Sequence, residues 1–222
     1  MVTGGGRAPA RPHRERSPRQ PGERGVQVTG GAPGGLPRIS VDGGDVELRY
    51  MEPGDADAVL AFARSVPKHD LMFLQTDITT VEGVNGWVDD VLLGLAAVIL
   101  ATRAGEIIGF GAVARHEAIW MRHIADLHVV VGTSWRGHGL GHRLASEGLT
   151  LARGLGVRRA TTQMTLDQIA AMRTFRALAF VPVAVLHDQV SDTNGETYDL
   201  LLMHRDLDPG DGGGDEGDAA AS

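Results

Sequence analysis

The stretch VVVGTSWRGHGLGHRL, residues Val129–Leu144, leads from β-branched residues through alternating glycines into a helical pattern. Consecutive valines favour a strand, and Gly137, Gly139 and Gly141 allow a sharp turn and a close approach of a ligand to the main chain. Leucines then recur at roughly helical spacing, at Leu140, Leu144, Leu149 and Leu151. The stretch therefore predicts a strand, a turn and a helix whose N-terminus lies at the glycines.

A helix N-terminus of this kind favours an anion. Its first amides lack partners within the helix and carry partial positive charge, and Arg136 adds a full charge beside them. Two well-known phosphate loops are excluded, because no Lys-Ser or Lys-Thr pair is present and the last glycine of Gly-x-Gly-x-x-Gly is replaced by His142 or Leu144. We therefore predict a phosphate-type anion here, with an ordinary strand-to-helix connection as the alternative.

The overall composition predicts one soluble domain. The chain has 222 residues, 42% of them hydrophobic, and a formal net charge of -7, which suits one sizeable core. It contains no cysteine, which excludes disulfides, thiolate metal ligands and cysteine nucleophiles. The longest apolar stretch, Val91–Ala101, is too short to cross a bilayer, and no signal-peptide core follows Met1. We expect a cytoplasmic protein with no membrane partner.

Both ends of the chain differ from its middle. Residues 1–44 are rich in Gly, Pro and Arg and poor in large apolar side chains, so we expect a disordered basic arm. Residues 208–222 form a short acidic tail that we also expect to be disordered. The arm would be the candidate for binding nucleic acid, but no aromatic residues interleave with its arginines and the rest of the chain is acidic. We therefore expect no nucleic-acid partner, and the folded domain is predicted to span residues 45–207.

The middle of the chain reads as an α/β domain. Alternating or β-branched segments and amphipathic segments follow one another in the order β-α-α-β-β-β-α-β-α-β-β. The fourth predicted strand, RHIADLHVVV, leads directly into the glycine turn. The segment Lys68–Gly86 is predicted to form a lid over the site, and the tryptophans are expected in the core or in a cleft wall, at Trp87, Trp120 and Trp135.

This order, together with the glycine turn, resembles the GNAT superfamily of acetyl-CoA-dependent N-acetyltransferases. The superfamily signature, Arg/Gln-x-x-Gly-x-Gly/Ala after a central strand, is met by Arg136, Gly139 and Gly141. The resemblance covers about Val46–Leu207, and the run that starts ADLHVVV looks most like bacterial protein-lysine acetyltransferases. It implies a single domain with a mixed central sheet of about seven strands, splayed at the fourth and fifth, and about four flanking helices.

The resemblance also implies a binding site for acetyl-CoA as cosubstrate. The main-chain amides that would bind the pyrophosphate of coenzyme A belong to Arg136, Gly137, His138, Gly139, Leu140, Gly141 and His142. The pantetheine arm would lie along the strand edge formed by Val129, Val130 and Val131, and Gln168 stands where the family usually has asparagine. The other partner would be a primary amine, either a protein lysine or a small molecule, and the oligomeric state stays open.

Attack on a thioester requires a neutral amine, so this chemistry calls for a general base. A lysine side chain with a pKa near 10.4 is neutral only about once in 10³ at pH 7. Asp126 is the first candidate, because it stands where the lysine-acetyltransferase pattern has glutamate, and its short side chain favours a water relay. His128 is the alternative base or relay partner. His116 and Glu117 could also lie across from Asp126 if the two strands pair as a hairpin.

Some positions depart from the family pattern. Many family members use a tyrosine in the last helix to protonate the departing thiolate, and here the aligned residue is Phe175. The thiolate would then leave unaided or take a proton from water. This departure motivates the alternative function, a catalytically weak acyl-CoA-binding regulatory module. A metal site is not expected, because Gly139 replaces the glutamate that would follow His138 in a His-Glu-x-x-His zinc motif ending at His142.

Overall fold

One mixed sheet organises the domain. The computed structural model describes residues 36, 38–41, 44–116, 118–192 and 194–207. Within them the strands lie in the order β1-β2-β3-β4-β5-β6-β8-β7. They are β1 (Arg38–Val41), β2 (Gly44–Tyr50), β3 (Ala96–Arg103), β4 (Glu106–Arg115), β5 (Ile124–Val131), β6 (Arg159–Thr165), β7 (Val181–Ser191) and β8 (Thr197–Asp206). The helices are α1 (Ala56–Ser65), α2 (Val81–Leu92), α3 (Leu140–Gly154) and α4 (Ile169–Ala177).

The predicted element order is confirmed, with one strand added at its start. β1 lies in the segment assigned to the basic arm and pairs antiparallel with β2. Four residues with two partly exposed apolar side chains, Ile39 and Val41, give too short an alternation to stand out in the sequence. The sheet therefore has eight strands instead of about seven. Residues 1–35, 37 and 42–43 of the predicted arm and the whole of the predicted acidic tail lie outside the described residues.

The helices cover the sheet on two sides. Along β5, the side chains of Ala125 and Leu127 pack in one cluster with residues of α3 and α4. Val130 points the other way, into a cluster with residues of α1 and α2. This alternation is the period-2 pattern of a strand that is covered on both faces. We refer to the two sides as the α3/α4 face and the α1/α2 face.

β5 and β6 separate partway along their length. β5 pairs antiparallel with β4 from Ala125 to Val131. It pairs in parallel with β6 only through Ile124, Ala125 and Asp126, the last of which lies opposite Thr161. Beyond this point the two strands diverge, and α3 follows β5 across the gap. The predicted splay of the fourth and fifth strands is confirmed; these are β5 and β6 in the eight-strand numbering.

The tryptophans occupy different environments. Trp87 is buried between α2 and the sheet, where its ring packs edge-to-face on Phe110. Trp135 is partly buried beneath the guanidinium of Arg103, 4.8 Å from the ring centroid. The prediction for Trp120 is wrong, since its side chain is 78% exposed in the short turn between β4 and β5, outside both helical layers. Among the described residues, no helix has the length and apolarity needed to span a membrane.

Candidate active site

The glycine turn after β5 has the backbone that its sequence predicts. A short 3-10 turn, Thr133–Trp135, leads to Gly137 and Gly139, which both have φ of +82°. A residue that carries a Cβ is strained in this left-handed region. Gly139 is the N-cap of α3. Because it has no side chain, no N-cap group hydrogen-bonds to the first amides of α3, which suits an anionic ligand.

The residues predicted to bind the cosubstrate differ in what they can offer. Leu140 is fully buried in the core, so it could contribute only its main chain to a ligand. A Cβ on Gly141 would lie 3.6 Å from the Val131 side chain, which shows how closely α3 follows β5. His138 faces the Trp135 ring edge-on, with 6.5 Å between the ring centroids. In the described part of the chain, no group of three or more His, Cys, Asp or Glu side chains could hold a metal.

Arg136 is fixed on two sides. Its Nε donates to the main-chain oxygen of Val131 at 3.3 Å. Its Nη2 donates to the carboxylate of Asp70, a residue of the predicted lid. The guanidinium therefore joins the glycine turn to a segment that is distant in sequence.

The strand edge that faces the opening is predicted to bind the pantetheine arm. Residues 127–131 pair with β4 on one side, but the pairing with β6 ends at Asp126. Val129 and Val131 project to the α3/α4 face, whereas Val130 is buried in the opposite core. Peptide groups along this edge are thus placed to bond an extended amide-containing chain.

Asp126 lies at the vertex where β5 and β6 part. Asp126 is 7% exposed, and its Oδ1 accepts a hydrogen bond from Thr161 Oγ1 at 2.5 Å. Its Oδ2 is 3.5 Å from His116 Nε2 at the end of β4. The structure thus brings His116 to Asp126, as the sequence suggested for a hairpin. Glu117 lies outside the described residues.

His128 shares the α1/α2 face with Asp126. Within the described residues its Nε2 is buried without a hydrogen-bond partner. Burial lowers the pKa of His128 below its ordinary value, although the nearby charge of Asp126 acts in the opposite direction. The imidazole is therefore neutral at neutral pH.

A second group of side chains lies at the far end of β6. His69 Nε2 is 3.0 Å from Thr165 Oγ1 and 3.2 Å from Asp167 Oδ2, and its ring packs edge-to-face on Tyr198. Burial acts to raise the pKa of Asp167, but the Thr165 hydroxyl and the charge of His69 outweigh it, so the pKa is lowered. Sequence analysis identified the segment as a lid without singling out His69.

Helix α4 carries the two positions that depart from the family pattern. Gln168 is its N-cap, and its Oε1 accepts a hydrogen bond from the main-chain nitrogen of Thr165 at 3.2 Å. Phe175 is 4% exposed and packs edge-to-face on Phe180 at 5.0 Å. Its ring belongs to the core between α4 and the sheet.

Comparison with known proteins identifies the family to which this architecture belongs. Residues 71–180 match the sequence profile of the acetyltransferase (GNAT) family. The chain contains a GNAT acetyltransferase domain. No protein of curated function matches the chain.

Solved structures agree on the fold of this GNAT domain. A GNAT-family acetyltransferase from Streptococcus pneumoniae superposes with a TM-score of 0.63 at 23% identity, over 73% of this chain and 99% of that one. YncA, an acetyltransferase from Salmonella typhimurium solved with its cofactor acetyl-CoA, superposes with a TM-score of 0.64 at 20% identity, over 73% of this chain and 94% of that one. A ribosomal-protein-alanine N-acetyltransferase from Brucella melitensis has a TM-score of 0.63 at 23% identity, over 72% of this chain and 99% of that one. At these identities the likeness establishes the fold.

Three residues of this candidate site are not found by sequence reasoning. Thr161 hydrogen-bonds to Asp126 from 35 positions away, and Asp70 meets Arg136 across 66 positions. His69 meets Thr165 across 96. No local pattern marks such pairs. Thr161 could have been found only from the parallel register of β5 and β6, which places it opposite Asp126.

Proposed function

We propose that this GNAT domain transfers an acetyl group from acetyl-CoA to a primary amine by direct attack in a ternary complex. The observation that carries the proposal is the opening between β5 and β6, with the glycine turn at its wide end and Asp126 at its vertex. An extended thioester bound along this opening would have its anionic end at the turn and its reactive end near a carboxylate. No cysteine is available for an acyl-enzyme, which favours direct transfer.

The cosubstrate would be held mainly through the main chain. Amides from Arg136 to His142 would bind the diphosphate, supported by the left-handed glycines and by the positive end of α3. The amide groups of the pantetheine arm would bond to the free edge from Val129 to Val131. The N–H groups of the same edge would also stabilise the negative charge that develops on the thioester oxygen.

The acceptor amine must lose a proton before or as it attacks. We assign this step to Asp126, acting through a water, with His116 as the second proton acceptor at 3.5 Å. The amine nitrogen then forms a bond to the acetyl carbon, and the carbon–sulfur bond breaks with the electron pair going to sulfur. The thiolate takes its proton from water, because Phe175 has none to give and is buried in the core.

His128 is the alternative base. Its lowered pKa leaves the imidazole neutral and able to accept a proton over a wide pH range. It lies on the same face as Asp126, two residues closer to the glycine turn. The two assignments predict different effects of substitution: at saturating amine, kcat should fall strongly only when the residue that acts as the base is replaced.

We propose a protein lysine as the acceptor. The likeness of the ADLHVVV run to bacterial protein-lysine acetyltransferases supports this choice. One of the similar structures is named as a ribosomal-protein-alanine N-acetyltransferase and another as a phosphinothricin N-acetyltransferase, so an alanine peptide and phosphinothricin form the natural comparison arms.

Phe175 favours a second candidate function. A domain that binds acyl-CoA but lacks a proton donor for the leaving thiolate could serve as a regulatory module with little transfer activity. The core position of this residue, packed on Phe180, leaves no hydroxyl at that place in the site.

The deciding experiment combines calorimetry with acetyl-CoA and an assay of free thiol. The acceptor panel contains lysine-bearing peptides, a peptide with an N-terminal alanine, and phosphinothricin. We expect thiol release that depends on the lysine peptide, with N-acetylation confirmed by mass. Transfer to another amine would overturn only the acceptor class. Tight acetyl-CoA binding without release on any amine would favour the regulatory module, and absence of binding would reject both functions.

A further inference from the structure

The segment Lys68–Leu71, which we call the strap, joins the two sides of the opening between β5 and β6. It forms a short 3-10 turn, and its two central residues contact different sides. His69 reaches Thr165 and Asp167 at the end of β6. Asp70 reaches Arg136 in the turn after β5. Adjacent residues of one segment thus bridge strands that have separated.

The Asp70 contact uses the cation that the glycine turn offers to an anion. The Asp70 side chain is 19% exposed and the Arg136 side chain 45%, so the pair lies at the rim of the opening. A coenzyme A diphosphate bound to the amides beside Arg136 would bring two negative charges close to the Asp70 carboxylate. One guanidinium cannot neutralise all three, and like charges at short range repel each other.

We propose that Asp70 makes the strap sensitive to the cosubstrate: binding of the diphosphate weakens the Asp70–Arg136 pair and releases the strap from the β5 side. This inference rests on the proposed function, because it assumes that coenzyme A binds at the glycine turn. Release would open the α1/α2 face of the gap, from which an amine can approach Asp126. Asp70 is a positioning residue in this scheme and touches neither reacting atom.

The coupling has a thermodynamic consequence. If diphosphate binding weakens the pair, then loss of the pair must strengthen diphosphate binding by the same factor. Asp70→Asn keeps the size of the side chain and removes its charge. The variant should therefore bind coenzyme A several-fold more tightly than the wild type and should hold the strap less firmly.

The test compares ligands and variants by calorimetry. The wild type and Asp70→Asn are titrated with coenzyme A and with pantetheine, which has the same arm without the diphosphate. Asp57→Asn removes the same charge at an exposed position in the first turn of α1, outside the strap, and serves as the control. We expect three- to ten-fold tighter coenzyme A binding for Asp70→Asn, no change for Asp57→Asn, and the same pantetheine affinity in all three proteins.

Limited trypsin digestion measures how accessible the strap is, because trypsin cleaves after lysine and Lys68 is the first residue of the strap. Cleavage after Lys68 should be accelerated by coenzyme A in the wild type and should be fast in Asp70→Asn without it. Unchanged or weaker coenzyme A binding by Asp70→Asn overturns the inference, as does cleavage that coenzyme A leaves unchanged or slows. In either case wild-type binding of coenzyme A leaves the proposed function standing, whereas a wild type that binds no coenzyme A rejects both.

Discussion

Thr161 donates a hydrogen bond from its Oγ1 to Oδ1 of Asp126 at 2.5 Å, across the last paired position of β5 and β6. The bond fixes one carboxylate oxygen at the vertex of the opening. The other oxygen faces His116. A carboxylate oriented in this way is prepared to take up a proton on one defined side.

Removing this hydrogen bond should lower the rate of transfer while leaving cosubstrate binding intact. In Thr161→Val the carboxylate loses its orienting donor, so we expect kcat to fall by about tenfold and the acetyl-CoA dissociation constant to stay the same. Thr150→Val on the exposed side of α3 is the control, and an unchanged kcat in Thr161→Val would show that the bond is only structural.

Gly139 should be necessary for cosubstrate binding because of its backbone. With φ of +82° at the N-cap of α3, an alanine costs roughly 1 kcal/mol of strain or shifts the turn. We expect Gly139→Ala to weaken acetyl-CoA binding by about tenfold or more, measured by calorimetry. Gly154→Ala at the end of the same helix has open space for a Cβ and no positive φ, so it should bind normally. Equal affinities of the two variants would contradict the predicted role of the turn.

The buried imidazole of His128 should make stability depend on pH. Its pKa is lowered in the folded protein, so below about pH 6.5 the unfolded chain takes up a proton that the folded chain does not. The free energy of unfolding should therefore decrease as the pH falls below that value, with a slope approaching about 1.4 kcal/mol per pH unit from this group. The decrease ends once the pH passes the folded-state pKa.

Denaturant titrations between pH 5 and 8 measure this effect. His128→Gln should lose this part of the slope, whereas His123→Gln, on the exposed turn before β5, should retain it. A slope that survives unchanged in His128→Gln would assign the pH dependence to other groups.

The ion pair between Arg49 and Asp55 should stabilise the junction between β2 and α1. Two hydrogen bonds of 2.6 and 2.7 Å join the groups, and the main-chain nitrogen of Glu52 also donates to Asp55. The Arg49 hydrogen bond is the main reason why the pKa of Asp55 is lowered. We expect Asp55→Asn to lower the free energy of unfolding by about 1 kcal/mol at pH 7.

Because the folded-state pKa of Asp55 lies below its unfolded value, this contribution is full above about pH 4 and is lost as the pH falls through the folded-state pKa. Thermal unfolding of the wild type and Asp55→Asn should therefore converge in acid. Glu106→Gln, which removes an exposed carboxylate at the start of β4, should match the wild type throughout, and a difference between wild type and Asp55→Asn that persists in acid would contradict the assignment.

The elements of this domain were predictable from local patterns, and its long-range contacts were not. Three valines followed by alternating glycines and spaced leucines specify β5, the turn and α3 through backbone preference and periodicity alone. The alternation along β5 likewise follows from local sequence, since Ala125 and Leu127 pack on the α3/α4 face and Val130 on the α1/α2 face. These inferences need only the residues within a few positions.

Other features depend on how distant segments meet. β1 is recognisable as a strand because β2 lies beside it, since four residues with two apolar side chains carry little signal of their own. The large apolar ring of Trp120 predicts a place in the core or in a cleft wall, but the turn that holds it lies outside both layers. The contact of Asp70 with Arg136 arises from the path of the strap across the opening, which no spacing in the sequence reveals.

The central claim is that the opening between β5 and β6 catalyses acetyl transfer with Asp126 as the base. The most direct test is amine-dependent release of thiol from acetyl-CoA by the wild type and by Asp126→Asn, in which the amide oxygen can still accept the Thr161 hydrogen bond. We predict that kcat/KM falls by about 10² or more at pH 7, with unchanged acetyl-CoA affinity and thermal stability. Full activity of Asp126→Asn, or no amine-dependent release by the wild type, would contradict the account.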